Sequence, residues 1–202
     1  MSVSPTNRRF QPGAALWLVG CYVALVAAKW WWVQGTPGPC VFGDELYYRT
    51  LAEALATGQG YRVAADPRAM VGWPPLYPLS LAPAFWLGGD GYLWMLRLNA
   101  LYSSAVVFPL WGLARSLLPK RESWIALILA CLLPWHVVFP RLVMSENLFL
   151  PLFLLICYLL LTPRGQSRRP LGFAAAGAVM GLAHMTRHIF LTVLPALLLC
   201  WW

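Results

Sequence analysis

A run from Ala14 to Val33, interrupted only by Lys29, constrains this chain more than any other feature. A bilayer accepts roughly 20 apolar residues as one crossing helix, whereas a soluble core would have to cover such a stretch on every side. The run ends in Trp30, Trp31 and Trp32, side chains that suit a membrane–water boundary, and Lys29 is placed to snorkel there. Further apolar runs follow at 92–118, 124–139, 144–161, 171–185 and 189–202. Composition agrees: 60% of the 202 residues are hydrophobic and 11% charged, against roughly 25% charged in a soluble domain. The expected fold class is all-α, a polytopic membrane helix bundle of about six spans. Pro109 lies within the second run, Pro134 kinks the third, and Gly177 and Gly181 form a G-x-x-x-G spacing that permits close helix packing. A cleaved signal peptide is the competing reading of the first run, because Arg8 and Arg9 precede it and Ala27-Ala28 closes it. Its length and the runs that follow favour a span.

The net charge of +8 does not point to nucleic acid. The basic residues occupy short loops between apolar runs instead of forming one polar face. With residues 1–13 in the cytoplasm, the inner segments hold Arg8, Arg9, Arg115, Lys120, Arg121, Arg164, Arg168 and Arg169, the positive-inside pattern. Of the seven carboxylates all but Glu122 then fall outside. Acidic residues do little to set topology, so this bias reads as functional. The five cysteines imply neither a disulfide framework nor a metal knuckle.

Residues 34–91 read as a large first extracytoplasmic loop carrying surface helices. Gly35-Thr36-Pro37-Gly38-Pro39 ends the first helix. Asp44 to Thr57 then has helical period, with Asp44, Tyr48, Leu51 and Leu55 on one face and Glu45, Arg49 and Glu53 spaced for i,i+4 pairs on another. Trp73-Pro74-Pro75-Leu76-Tyr77-Pro78 is an extended turn, and 79–87 is too short to span.

Asp44 and Glu45 are the first chemical candidates. Asp44 has two compatible readings, a helix N-cap and a general base at the membrane surface. Glu146, opening a membrane helix, is favoured there by the helix dipole and is also a functional candidate by depth. His184-Met185-Thr186-Arg187-His188 is either a solvated loop or a cationic cluster for a phosphate, with Arg187 best suited by charge and geometry. His184 and His188 have i,i+4 spacing, which leaves a divalent metal open, although the break between spans makes that spacing unreliable. His136 reads as structural. Arg97 and Arg141 lie on the outer side, where each could pair with a carboxylate or meet a lipid phosphate. Tyr47, Tyr48, Tyr61, Trp73 and Tyr77 suit sugar stacking or interface anchoring equally well.

The order of these pieces resembles a known family. Gly43-Asp44-Glu45-Leu46-Tyr47-Tyr48 follows the first span, and Gly58-Gln59-Gly60-Tyr61 closes the loop helix. Pro74-Pro75-Leu76-Tyr77-Pro78, Arg97-Leu98-Asn99-Ala100-Leu101, Ser145-Glu146-Asn147-Leu148 and Gly181-Leu182-Ala183 before Thr186-Arg187 come next. The chain from about residue 14 onward resembles the GT-C superfamily of membrane glycosyltransferases, in its protein-mannosyltransferase and aminoarabinose-transferase-like branch. The resemblance implies an inverting transfer from a polyprenyl-phosphate sugar donor to a lipid, glycan or protein acceptor at the extracytoplasmic face of a bacterial plasma membrane. It implies Asp44 as catalytic carboxylate beside Glu45, Glu146 as a second-loop acid that assists or binds a metal, and Arg187 as a donor-phosphate contact. Arg97, Tyr48 and Tyr61 complete the expected substrate-binding set. Family members usually continue through more helices, so residues 14–202 are expected to be part of such a module. A non-catalytic membrane subunit is the alternative. A transporter or flippase is less favoured, because no internal repeat is visible and the acids gather on one side.

Overall fold

The computed structural model describes residues 12–38, 43–63, 72–89, 91–162, 169–192 and 195. Among these residues it is built of helices and contains no strand. In chain order they are α1 (Pro12–Val33), α2 (Gly43–Ala56), α3 (Leu76–Leu81), α4 (Gly91–Ser104), α5 (Val107–Leu117), α6 (Lys120–Leu132), α7 (Pro134–Val138), α8 (Glu146–Leu161) and α9 (Arg169–Thr186). Short 3-10 turns at Ala82–Phe85 and Phe139–Arg141 complete them.

Two stretches are long and apolar enough to cross a membrane, Gly13–Val33 and Gly91–Leu117, or three if the bent pair Lys120–Leu132 and Pro134–Arg141 counts as one crossing. α8 and α9 are apolar but shorter, so the expected six crossings are not reached by length among the described residues. Most of the run at 189–202 lies outside them. α1 exposes Leu16, Trp17, Val19 and Val23, the apolar surface that a lipid-facing helix presents.

The breaks follow the prolines. Pro109 has no N–H to offer the carbonyl of Ala105, and the helix interrupts there, between α4 and α5. That carbonyl accepts from the Phe108 N–H at 3.2 Å instead. Leu133 is extended (φ −57°, ψ 139°), as a residue before proline prefers, and the chain bends by 53° at that point.

Three apolar clusters hold the helices. One joins α2, α3, α4 and Val143 around Tyr48, Tyr77, Leu81, Met95 and Leu96. A second packs Leu18 of α1 against Val107 and Trp111 of α5 and Leu127 of α6. The third pairs α8 with α9 through Ile156, Ala183 and Phe190. Because α9 returns antiparallel along α8, the start of α8 meets the end of α9, and Phe149 lies 6.4 Å from Phe190, centroid to centroid.

Two sequence expectations change. Lys29 does not snorkel: it is 8% exposed and donates to Ser103 Oγ of α4 at 2.9 Å. Gly177 and Gly181 make no close approach here, since a Cβ at either would meet nothing within 4 Å. The intimate glycine contact is at Gly112 of α5, where a Cβ would stand 2.7 Å from the Tyr158 ring of α8. Gly112→Val should therefore separate α5 from α8 and lower stability by about 1–3 kcal/mol, the usual range for overpacking, read as a lower melting temperature in detergent.

Candidate functional site

α2 starts at Gly43, so Asp44 and Glu45 both stand in its first turn, where carboxylates favour the helix dipole. Asp44 follows Gly43, the first helical residue, and so lies inside the helix instead of capping it. The buried face carries Glu45, Tyr48, Leu51, Ala52 and Ala54. Tyr48 and Leu51 are buried as the expected face requires, but Glu45 joins them inside and Asp44 is exposed. A helix of 3.6 residues per turn puts positions 45, 48 and 52 in one line, and burial of Tyr48 and Ala52 carries Glu45 in with them.

Glu45 is fully buried. Its Oε1 accepts the Val143 N–H at 2.6 Å and the Tyr92 hydroxyl at 3.4 Å, while Oε2 is buried without a hydrogen-bond partner. The carboxylate therefore ties α2 to the segment that leads into α8. Burial pushes its pKa up; the bonds from Val143 and Tyr92 pull it down, and burial wins. A carboxyl whose folded pKa is raised contributes stability that is fully present below its unfolded pKa and is lost as pH rises through the folded value. Wild-type stability should therefore fall on going from pH 4 toward neutrality relative to Glu45→Gln. Parallel denaturation curves of the two proteins across pH would contradict this.

The segment 142–145 is fixed by two asparagines. Asn147 Nδ2 donates to the carbonyls of Phe139, Leu142 and Met144 at 2.9, 3.2 and 3.0 Å. Asn99 of α4 donates to the Leu142 carbonyl at 2.9 Å and accepts the Tyr77 hydroxyl at 2.8 Å. Both positions were visible as polar residues inside apolar runs; the partners of Asn147 are local, whereas those of Asn99 lie 22 and 43 residues away. Ser145, also missed, accepts the Tyr48 hydroxyl at 3.1 Å.

Glu146 opens α8 and forms an ion pair with Arg187, just past the C-terminus of α9. Both charges complement their helix ends. The pair is partly buried, with the Arg187 side chain 29% and the Glu146 side chain 21% exposed. The Tyr48 phenol senses all of this: burial raises its pKa first, the Ser145 bond and the Arg187 charge lower it, and Asp44 and Glu146 raise it. Tyr48 of α2 thus meets Ser145 beside the Glu146–Arg187 pair, and Asp44 stands one turn before Tyr48 on its own helix.

Around them lies an aromatic wall. Tyr47 stacks on Trp73 at 5.0 Å, and Tyr48 meets Trp73 and Tyr77 edge-on at 5.3 and 4.8 Å. The Tyr61 hydroxyl donates to the carbonyls of Trp73 and Pro74, and burial lifts its pKa to about 12. Tyr61 thus fastens the wall and interacts electrostatically with Tyr48.

The other candidates lie elsewhere in the network. Arg97 places its guanidinium over Trp94 at 4.5 Å and Trp30 at 5.8 Å, and no ion pair joins it to Asp44 or Glu146 among the described residues. Arg141 covers Trp32 at 4.9 Å and donates to Thr36 Oγ1 at 2.9 Å, fastening the end of α1. The His184 and His188 rings are 5.2 Å apart. Among the described residues no three His, Cys, Asp or Glu side chains gather closely enough to hold a metal.

Apolar helices long enough to cross a membrane fit a glycosyltransferase of GT-C type. The family described as dolichyl-phosphate-mannose-protein mannosyltransferase matches residues 73–202, and the chain belongs to it. The match takes in Glu146 and Arg187; Asp44 precedes it. Comparison with curated proteins and with solved structures gave no match.

Proposed function

We propose that this chain transfers a sugar from a polyprenyl-phosphate donor to a hydroxyl acceptor, with inversion, at the extracytoplasmic face of a bacterial plasma membrane. The observation that supports this most is the Glu146–Arg187 ion pair next to Ser145, which Tyr48 reaches, with Asp44 exposed one turn before Tyr48 to meet an acceptor. Asp44 acts as general base on the acceptor hydroxyl as it attacks the anomeric carbon. The bond to the lipid phosphate breaks, and Arg187 stabilises the charge developing on the leaving phosphate. Glu146 holds Arg187 until the donor arrives. Glu45 acts as the buried strut that sets Asp44 against the 142–145 segment, a positioning role in place of direct chemistry. Tyr48 and Tyr61 shape the wall along which the substrate lies, and Arg97 reaches the donor lipid from α4. The arrangement needs residues 34–91 outside, residues 1–13 inside and six crossings in the module 14–202.

The donor class is tested by offering the chain, in proteoliposomes, the same labelled sugar as a polyprenyl phosphate and as a nucleotide diphosphate. Transfer from the lipid-linked form alone is expected. Transfer from the nucleotide form would overturn the donor assignment.

A further inference from the structure

Lys29 is a charge inside a membrane helix, and it donates a hydrogen bond to Ser103 of α4. A buried ionisable group in such a helix is costly and is held by pairing with a polar neighbour. Ser103 in turn lines a cavity of about 10 Å³ between α4, α7 and α8, together with His136, Glu146 and Asn147. Ser103 and His136 are buried, 4% and 7% exposed. Glu146 Oε2 and Asn147 Oδ1 are both buried with no hydrogen-bond partner among the described residues, and both are acceptors. The rest of the wall is apolar, Trp135, Phe139, Leu150 and Pro151, and the space is at the lower limit for one water molecule, which needs two to four polar partners. Ser103 Oγ accepts from Lys29, which leaves its own proton to give into the cavity.

We infer that Lys29 is a positioning residue for Glu146, acting through Ser103 and one water molecule held between Ser103, His136, Asn147 and Glu146. Arg187 fixes one oxygen of the Glu146 carboxylate and the water fixes the other. The carboxylate is then aimed at Arg187 by a chain that begins on α1, and the first span is coupled to the transfer site. The effect on turnover rests on the functional reading above; the effect on the carboxylate itself does not.

The test reads the Glu146 carboxylate directly, by infrared difference spectra of the full chain in lipid with Glu146→Gln as the blank. Lys29→Met and Ser103→Ala should each shift the Glu146 carboxylate stretching bands, and Lys29→Arg should restore most of the wild-type position. Lys120→Met, which removes an exposed lysine at the start of α6, should leave the bands in place. Unmoved bands in Lys29→Met would overturn the inference, as would an equal shift in Lys120→Met. In turnover, Lys29→Met should lower kcat about tenfold in the wild type, leave KM for the donor within twofold, and have no further effect on Glu146→Gln, the signature of action through that residue. Equal losses in both backgrounds would mark Lys29 as structural. The functional reading falls by a different result, undiminished transfer in Asp44→Asn.

Discussion

Asp44→Asn should lower sugar transfer by about 10²–10⁴-fold, the range that a positioned general base contributes, while the protein folds as before. The structure explains why the fold should survive. Asp44 is exposed in the first turn of α2, and that helix is held by the burial of Glu45, Tyr48, Leu51 and Ala52. Asparagine keeps the shape and loses the basicity. The neighbouring carboxylate predicts the reverse pattern: Glu45→Ala leaves the buried Val143 N–H without its 2.6 Å acceptor and should act first on stability, by about 1–3 kcal/mol. Thermal melts beside the transfer assay separate the two residues.

The second large effect is at Arg187. Arg187→Leu removes the cation proposed to meet the leaving phosphate and leaves Glu146 unpaired at the start of α8. Loss of a preorganised charge stabiliser costs about 10²–10³ in kcat. Arg187→Lys should recover only part, because a point ammonium does not reproduce the planar fork that grips a phosphate. Titration with a non-transferable polyprenyl phosphate gives the complementary readout: Arg187→Leu should weaken its binding, whereas Glu146→Gln, which frees Arg187, should not. Equal affinity in Arg187→Leu and wild type would remove Arg187 from the donor site.

Much of this was legible in the sequence, for reasons that differ by element. The first span could be read because apolar length is a local property, and the bend at Pro134 because proline acts on its own neighbours. The second span was legible as one run with Pro109 inside it, and the same rule accounts for its interruption at Ala105. Asp44, Glu146 and Arg187 were each candidates from residue type and from resemblance; the antiparallel return of α9 along α8, which no local pattern encodes, is what brings Arg187 to Glu146. The inward turn of Glu45 was missed because i,i+4 spacing to Arg49 offered an exposed reading, while its partners Val143 and Tyr92 lie far away in sequence. Lys29 was misread for a similar reason. Snorkelling is the default near a helix end, and only the tertiary position of Ser103 holds the ammonium inside.

The central claim is that Asp44, Glu146 and Arg187 form one site for transfer from a lipid-linked sugar. The most direct measurement is single-turnover transfer of a labelled sugar from polyprenyl phosphate in proteoliposomes, wild type against Asp44→Asn, with the anomeric configuration of the product determined. The account predicts a wild-type product of configuration opposite to the donor and no product above background from the variant. Product from Asp44→Asn at the wild-type rate, or retained configuration in the wild-type product, would contradict it.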